Sequence, residues 1–357
     1  MTVQSDISSV CKPVDQFAFF TEKIEKQRIP FGGHIALTYC CNLRCVHCYA
    51  SGCATKEVSC ECFKKIIAQL ADEGCLFVVF TGGEPLIRND FVSIYEYAAN
   101  KGILITVFTN ATLVNTEHIS VLKDYPPQEV EVTLLGATAD IHDSLTQCKG
   151  SFERALKGVD KLLQHDVRVS LKTIVMKRNV CQIKDMEFLA RKLGTRFRID
   201  GLIFGSLNGD KSPLTFRVDP SELVKIEMDD KERLKEWKNF YQHYGSVDIE
   251  EPLFRCSAGK TCFYIDPAGY LQPCVMTPTI RVDTGGGFRK AWDKIGEIVE
   301  SFDLPVSSPC RGCRLKGICG YCPGIFSLEG TTAEFPPKFL CELGENRYNY
   351  LKSNSGV

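Results

Sequence analysis

The sequence lacks the marks of a chain sent into or across a membrane. Its start, MTVQSDISSV, has neither the basic opening nor the apolar run of a secretion signal. No stretch reaches the roughly 18 consecutive apolar residues of a span. It also lacks charge of one sign: 43 Lys and Arg against 44 Asp and Glu give a net charge of -1 with no long like-charged run. That balance excludes the basic footprint of a nucleic-acid binder or of a protein held on an anionic membrane. Internal repeats and low-complexity tracts are missing too. A cytoplasmic protein with small or neutral partners is expected. What it has in excess is cysteine, 19 residues. A reducing cytosol disfavours disulfides, so clustered cysteines there point to metal.

At 357 residues, 44% hydrophobic and 24% charged, the chain can bury one large core and a smaller one. Cysteines gather between Cys40 and Cys75 and again between Cys256 and Cys341, with only Cys148 and Cys181 between, so two cysteine sites are implied. From His34 to about Phe204, short β-rich runs alternate with stretches of helical period. The strands are HIALTY, CLFVVFT, ILITVFT, EVEVTLL, VRVSLKTIVM and RFRIDGLIF, with helices beginning near Cys60, Asp90, Thr116, Ser151 and Ile183 and after Asp219. Six βα units of this kind predict an α/β fold, a parallel sheet closing into a partial (β/α)6 TIM-type barrel. Ligands of such folds bind at the loops after the strand C-termini. Those loops hold CCNLRCVHCYASG, TGGEPL, Thr109-Asn110 and Gly136-Ala137-Thr138. Met228 to Gly245 reads as a charged bridging helix. From Cys256 onward, Cys, Gly and Pro with few periodic runs suggest a fold held more by metal than by a core.

Cys41, Cys45 and Cys48 form CxxxCxxC, three thiolates without a fourth inside the motif. On a four-iron cluster such a set leaves one iron open to a ligand. Alone, the spacing also fits a zinc site completed by His47 or Cys53. Gly82-Gly83-Glu84-Pro85 ends the second strand; alone it reads as a turn with a capping carboxylate.

Together and in this order, LTYCCNLRCVHCYA and GGEP resemble the radical S-adenosylmethionine (SAM) superfamily. The resemblance implies that Cys41, Cys45 and Cys48 hold a catalytic 4Fe-4S cluster and that His47 packs on the SAM adenine. It further implies that Gly82, Gly83 and Glu84 hold the methionine amino group and that Thr133 lies near the ribose. Arg154, in GSFERALKGV, is a candidate for the SAM carboxylate or a solvated helix residue. Two positions depart from the family pattern: Leu135 stands where an aspartate is frequent, and Ser144 to Gln147 supply no arginine.

The C-terminal cysteines are Cys256, Cys262, Cys274, Cys310, Cys313, Cys319, Cys322 and Cys341. Eight thiolates suffice for two fully ligated 4Fe-4S clusters, or equally for two structural zincs. With the FYIDPAGYLQPC hairpin, this region resembles the SPASM domain that follows many radical SAM barrels; relatives have three residues, not two, between the cysteines matching Cys319 and Cys322. The resemblance assigns Cys256, Cys262, Cys274 and Cys322 to one auxiliary cluster and Cys310, Cys313, Cys319 and Cys341 to the other. It divides the chain into an N-terminal extension (1–33), barrel (34–227), helical bridge (228–255), SPASM domain (256–342) and tail (343–357). Loss of either cluster should then unfold much of that domain.

The implied cofactors are three 4Fe-4S clusters and SAM, with a low-potential electron donor such as flavodoxin or ferredoxin. The implied activity is oxidative modification of a peptide, since FRIDGLIFGSLNGDKSPLTFRVDPSEL resembles the peptide maturases. Val275, where formylglycine-forming maturases carry an aspartate, speaks against that activity. Residues 1–33 are too few for a leader-capture domain, so a separate leader-binding protein or a leaderless substrate is expected. Oxidation of a tetrapyrrole side chain or another small molecule stays open, as does a non-enzymatic zinc or iron-sulfur scaffold.

Overall fold

In the computed structural model, residues 22–53, 56–244 and 252–354 are described. Six parallel strands form the centre: β1 (Gly32–Thr38), β2 (Phe77–Gly82), β3 (Leu104–Thr109), β4 (Glu129–Thr133), β5 (Val169–Ile174) and β6 (Arg196–Asp200). Each pairs with the next in sequence order. All six expected strands are present. The helices between them are α1 (Cys60–Asp72), α2 (Phe91–Asn100), α3 (Thr116–Asp124), α4 (Ala139–Thr146), α5 (Ser151–Leu163) and α6 (Ile183–Lys192), with α7 (Pro220–Met228) after β6.

Local chemistry explains where they start. The Ser59 side chain accepts from Cys62 N and opens α1, which buries Phe63, Ile66, Ile67 and Leu70. Asn115 and His118 close a capping box on α3. The sequence reading missed α4, whose eight residues are too few for a clear period. It is fixed by tertiary bonds instead. His142 Nδ1 accepts from Leu135 N at 3.1 Å, and Asp143 accepts from Ser151 Oγ and Phe152 N at the start of α5.

The cysteine-rich region continues the same sheet. β7 (Cys262–Ile265) pairs in parallel with β1, Gly32 opposite Cys262 and Ile35 opposite Ile265, and β8 (Tyr270–Gln272) and β9 (Val282–Asp283) follow antiparallel. A side chain at Gly33 would lie 2.5 Å from the Phe263 ring, so glycine admits the hairpin. The expectation of a region with little core is corrected by α9 (Phe288–Glu300). FRKAWDKIGEIVE has helical period and buries Phe288, Trp292, Ile295 and Val299 in the barrel's own core. A second apolar cluster, Leu304, Ile325, Phe326, Ala333 and Leu340, lies under α10 (Pro323–Leu328) and α11 (Lys338–Asn354). α11 crosses the boundary drawn at residue 342.

The charged helix expected over 228–245 is α8 (Lys231–Tyr244), separated from α7 at Asp230, whose carboxylate accepts from Glu232 N and Arg233 N. Residues 245–251, most of the N-terminal extension and the last three residues lie outside the described residues. No described helix is long and apolar enough to cross a membrane.

Candidate functional site

Inward-facing residues of the strands stack in layers, as the period of two requires. Above Phe108, Lys172 and Asp200 opens a cavity of about 240 Å3 at the strand C-termini. The loop after β1 supplies Cys41, Cys45, His47, Cys48 and Tyr49 to its wall, the end of β2 and the turn after it supply Gly82 and Gly83, the turn after β3 supplies Asn110, and β4 supplies Thr133. The cysteine loop is tied down on two sides. Arg44 N donates to Thr146 O at 3.0 Å and Val46 N to Leu145 O at 2.9 Å, so α4, unseen in the sequence, holds it. Ser206 Oγ donates to Cys48 O, and Leu207 N to Tyr49 O, from the segment after β6.

Burial pushes the Cys41 thiol up to about 11 and the Cys45 thiol further, with Cys48 raised likewise. A metal centre would displace those protons on binding. Among the described residues, no three His, Cys, Asp or Glu side chains close to single-ion spacing.

The glycine pair sits against the cysteine loop. Gly83 N donates to Thr38 O at 2.7 Å, and a Cβ on Gly83 would fall 2.3 Å from Cys40 O. Gly82 has φ +138° and would meet Thr38 O. Glu84 is placed beneath this floor and not on it. Its Oε1 accepts from Leu86 N at 3.1 Å and Thr109 Oγ1 at 2.7 Å, and its Oε2 from Asn110 N at 2.7 Å. Fully buried, it has its pKa raised to about 7 by desolvation. The carboxylate implied for the SAM amine thus clamps the end of β3.

His47 faces the cavity with its pKa lowered to about 4, by burial first and by Lys172 second; its Nδ1 is buried without a partner among the described residues. Three thiols, a glycine cradle that a Cβ would fill and an orphaned imidazole nitrogen fit an iron-sulfur cluster with a nucleoside ligand. Arg154 does not join them. It is exposed on α5, with Nη2 3.2 Å from Cys148 Sγ and Nη1 on Lys149 O. Its solvated reading is the one the geometry favours.

Lys172 and Asp200, paired at 3.0 Å, were not singled out in the sequence. Lys172 also lies 3.6 Å from Glu131 and over the Phe108 ring, while Glu131 is held bidentately by Arg198. The signal was present, since Lys172 and Ile174 share the inward face of β5.

Of the C-terminal thiols, Cys322 is raised to about 11 by burial and then by Cys274 and Cys256, and Cys274 is raised in turn by burial, Cys256 and Cys262. Burial raises Cys319 to about 12, with Cys310, Cys313 and Cys341 adding to it. The structure thus brings the eight thiols into two neighbourhoods. Tyr321 stands between them, close to Cys310 and Cys322. Tyr49, half-buried on the cavity wall, lies close to both Cys48 and Cys274 and so links the cavity to the first of these groups.

Residues 35–190 match the family model described as the radical SAM superfamily. The antilisterial bacteriocin subtilosin biosynthesis protein AlbA of Bacillus subtilis is 28% identical over 321 residues, covering 81% of this chain and 68% of AlbA. The AdoMet-dependent heme synthase of Methanosarcina barkeri is 26% identical over 314 residues, covering 80% of this chain and 89% of the synthase. Among solved structures, Streptococcus suis SuiB superposes with a TM-score of 0.72 over 91% of this chain and 81% of SuiB, at 18% identity, a likeness of fold. SuiB has also been solved bound to S-adenosylmethionine and to its precursor peptide SuiA.

Proposed function

We propose that this chain, an enzyme that belongs to the radical SAM superfamily, couples reductive cleavage of SAM to oxidation of a peptide substrate. The observation that carries the reading is the convergence on one cavity of three thiols, two glycines and an imidazole whose Nδ1 has no partner among the described residues. Cys41, Cys45 and Cys48 would hold a four-iron cluster with one open iron. Gly82 and Gly83, which have no side chains, would let the SAM amine approach their carbonyl oxygens, His47 would face the adenine, and Thr133, on the cavity wall, would lie near the ribose. When bound, cluster and SAM together supply a 5'-deoxyadenosyl radical, the hydrogen-abstracting agent.

The chain's own contribution is orientation and exclusion of water. Leu135, Ile174, Leu202 and Phe204 wall the cavity with apolar surface. Lys172 and Asp200 lie on its floor, where the Asp200 carboxylate is positioned to accept a hydrogen bond or a proton from the substrate. Cys256, Cys262, Cys274 and Cys322, behind Tyr49, suit the chain to carry off an electron that the substrate releases. Cys310, Cys313, Cys319 and Cys341 suit a third cluster. Flavodoxin or ferredoxin would serve as donor.

AlbA, named for bacteriocin biosynthesis, and SuiB with its precursor peptide support a peptide substrate. The heme synthase relative supports a second reading, oxidation of a tetrapyrrole side chain.

The test is anaerobic reconstitution. About twelve irons per chain are expected, with 5'-deoxyadenosine released from SAM under dithionite and none released by Cys45→Ala. Full SAM turnover by that variant, or colourless protein carrying zinc, would overturn the reading. Incubation with candidate precursor peptides and with iron-coproporphyrin separates the two substrate classes by which one loses hydrogen.

A further inference from the structure

We propose that Asn110 tunes the reduction potential of the catalytic centre by donating its side-chain amide to the thiolate of Cys41. The inference rests on the cluster assignment above and concerns this chain's own residues around it.

Asn110 directly follows β3 and lines the cavity. Its Nδ2 lies 3.9 Å from Cys41 Sγ and 2.9 Å from Asn42 Oδ1. Its Oδ1 accepts from Thr112 N at 2.9 Å and from Thr112 Oγ1 at 2.6 Å. A backbone N–H can only donate, so Thr112 N fixes the amide with oxygen away from the cluster loop and nitrogen toward it. Asn42 Nδ2 donates to Thr112 Oγ1 at 2.7 Å and closes a ring of three side chains.

The backbone of the same residue is held as firmly. Asn110 N donates to the buried Glu84 at 2.7 Å. Ala111 follows with φ +58°, a left-handed conformation that alanine rarely adopts, and its carbonyl is packed so closely on α5 that a Cβ on Gly158 would fall 2.0 Å from it. A strained residue held this firmly beside a functional site indicates that the placement of Asn110 matters.

Only one other hydrogen bond reaches Cys41 Sγ among the described residues, from Leu43 N at 3.4 Å. Donors aimed at a cluster thiolate stabilise the more negative, reduced state and so raise its potential. Asn110 would thereby ease entry of the electron that SAM cleavage consumes.

The experiment is an anaerobic redox titration of the reconstituted holoenzyme, following the electron paramagnetic resonance signal of the one cluster that responds to added SAM. Asn110→Asp keeps the acceptor for Thr112, removes the donor and adds charge. It should leave about tenfold less of that cluster reduced at a fixed potential, equivalent to about 59 mV for one electron. Asn110→Ala, which adds no charge, should lower the reduced fraction several-fold. Iron content should match wild type in both. Wild-type potentials in the two variants would overturn the proposal. So would loss of the SAM-responsive cluster from both, which would make Asn110 an assembly residue. A wild-type enzyme with no SAM-responsive signal would instead sink the cluster assignment beneath it.

Discussion

Arg347 grips Glu227 with two hydrogen bonds, 2.8 Å from Nε and 2.6 Å from Nη2, while its guanidinium lies 4.5 Å from the centroid of the Trp237 ring. Arg347 is buried and Glu227 largely so, and Arg347 also donates to Ile318 O at 2.7 Å. One residue thus joins α7 and α8 to α11 and to the cysteine-bearing loop.

Removing the cation from this pair should be costly, because the Glu227 carboxylate would stay buried without compensation. Arg347→Met is expected to lower unfolding free energy by about 3–5 kcal/mol in urea titrations. Adding Glu227→Gln should recover part of that loss. A change under about 1 kcal/mol, ordinary for an exposed pair, would show the pair to be solvated.

His142 makes stability depend on pH. Its pKa is lowered to about 4 by burial, with Asp143 opposing, and its Nε2 has no partner among the described residues. The unfolded chain, near 6.5, therefore takes up the proton first as pH falls. The stabilisation is complete above 6.5 and drains away toward pH 4. Between those limits wild type should lose about 3 kcal/mol more than His142→Asn, whose side-chain oxygen can still accept from Leu135 N. Parallel pH profiles for the two proteins would contradict this.

Gly83→Ala tests the cradle. The added methyl would fall 2.3 Å from Cys40 O, in backbone that cannot yield without moving Cys41. Iron in the SAM-responsive cluster and 5'-deoxyadenosine release should both fall at least tenfold. Gly286→Ala, where nothing lies within 4 Å, should change neither.

Iron removal tests how the C-terminal region is held. Trp292 stacks on Phe288 at 6.2 Å between ring centroids, and β7 is hydrogen-bonded to β1. Chelation should therefore loosen the loop around Cys310–Cys322 while amides of Cys262–Ile265 stay protected from hydrogen exchange. Trp292→Ala should destabilise even the loaded protein, by about 3–5 kcal/mol. Wholesale loss of protection in β7 on chelation would restore metal as the main support.

The strands and their loops were legible because β-rich apolar runs punctuated by glycine leave little freedom of assignment. The meeting of Cys41, Cys45 and Cys48 at one cavity was legible because short spacing within one loop keeps them together. Direction was harder to read. Glu84 and Arg154 sit in the right segments, yet three donors draw the first beneath the floor, and the second turns outward to Lys149 and Cys148. Lys172 and Asp200 meet only because β5 and β6 are in register, Lys172 opposite Arg198 and Ile174 opposite Asp200. The apolar support of the C-terminal region was hidden by its cysteines, glycines and prolines, although α9 had carried the period throughout.

The ladder between β1 and β7 means that the cysteine-bearing hairpin is no detachable module. A chain cut short at residue 255 would leave β1, the strand that delivers Cys41 to its place, as a raw sheet border with unpaired amides and carbonyls. Such borders recruit neighbours, so truncated copies should stick to one another through the strand that aims the first cysteine.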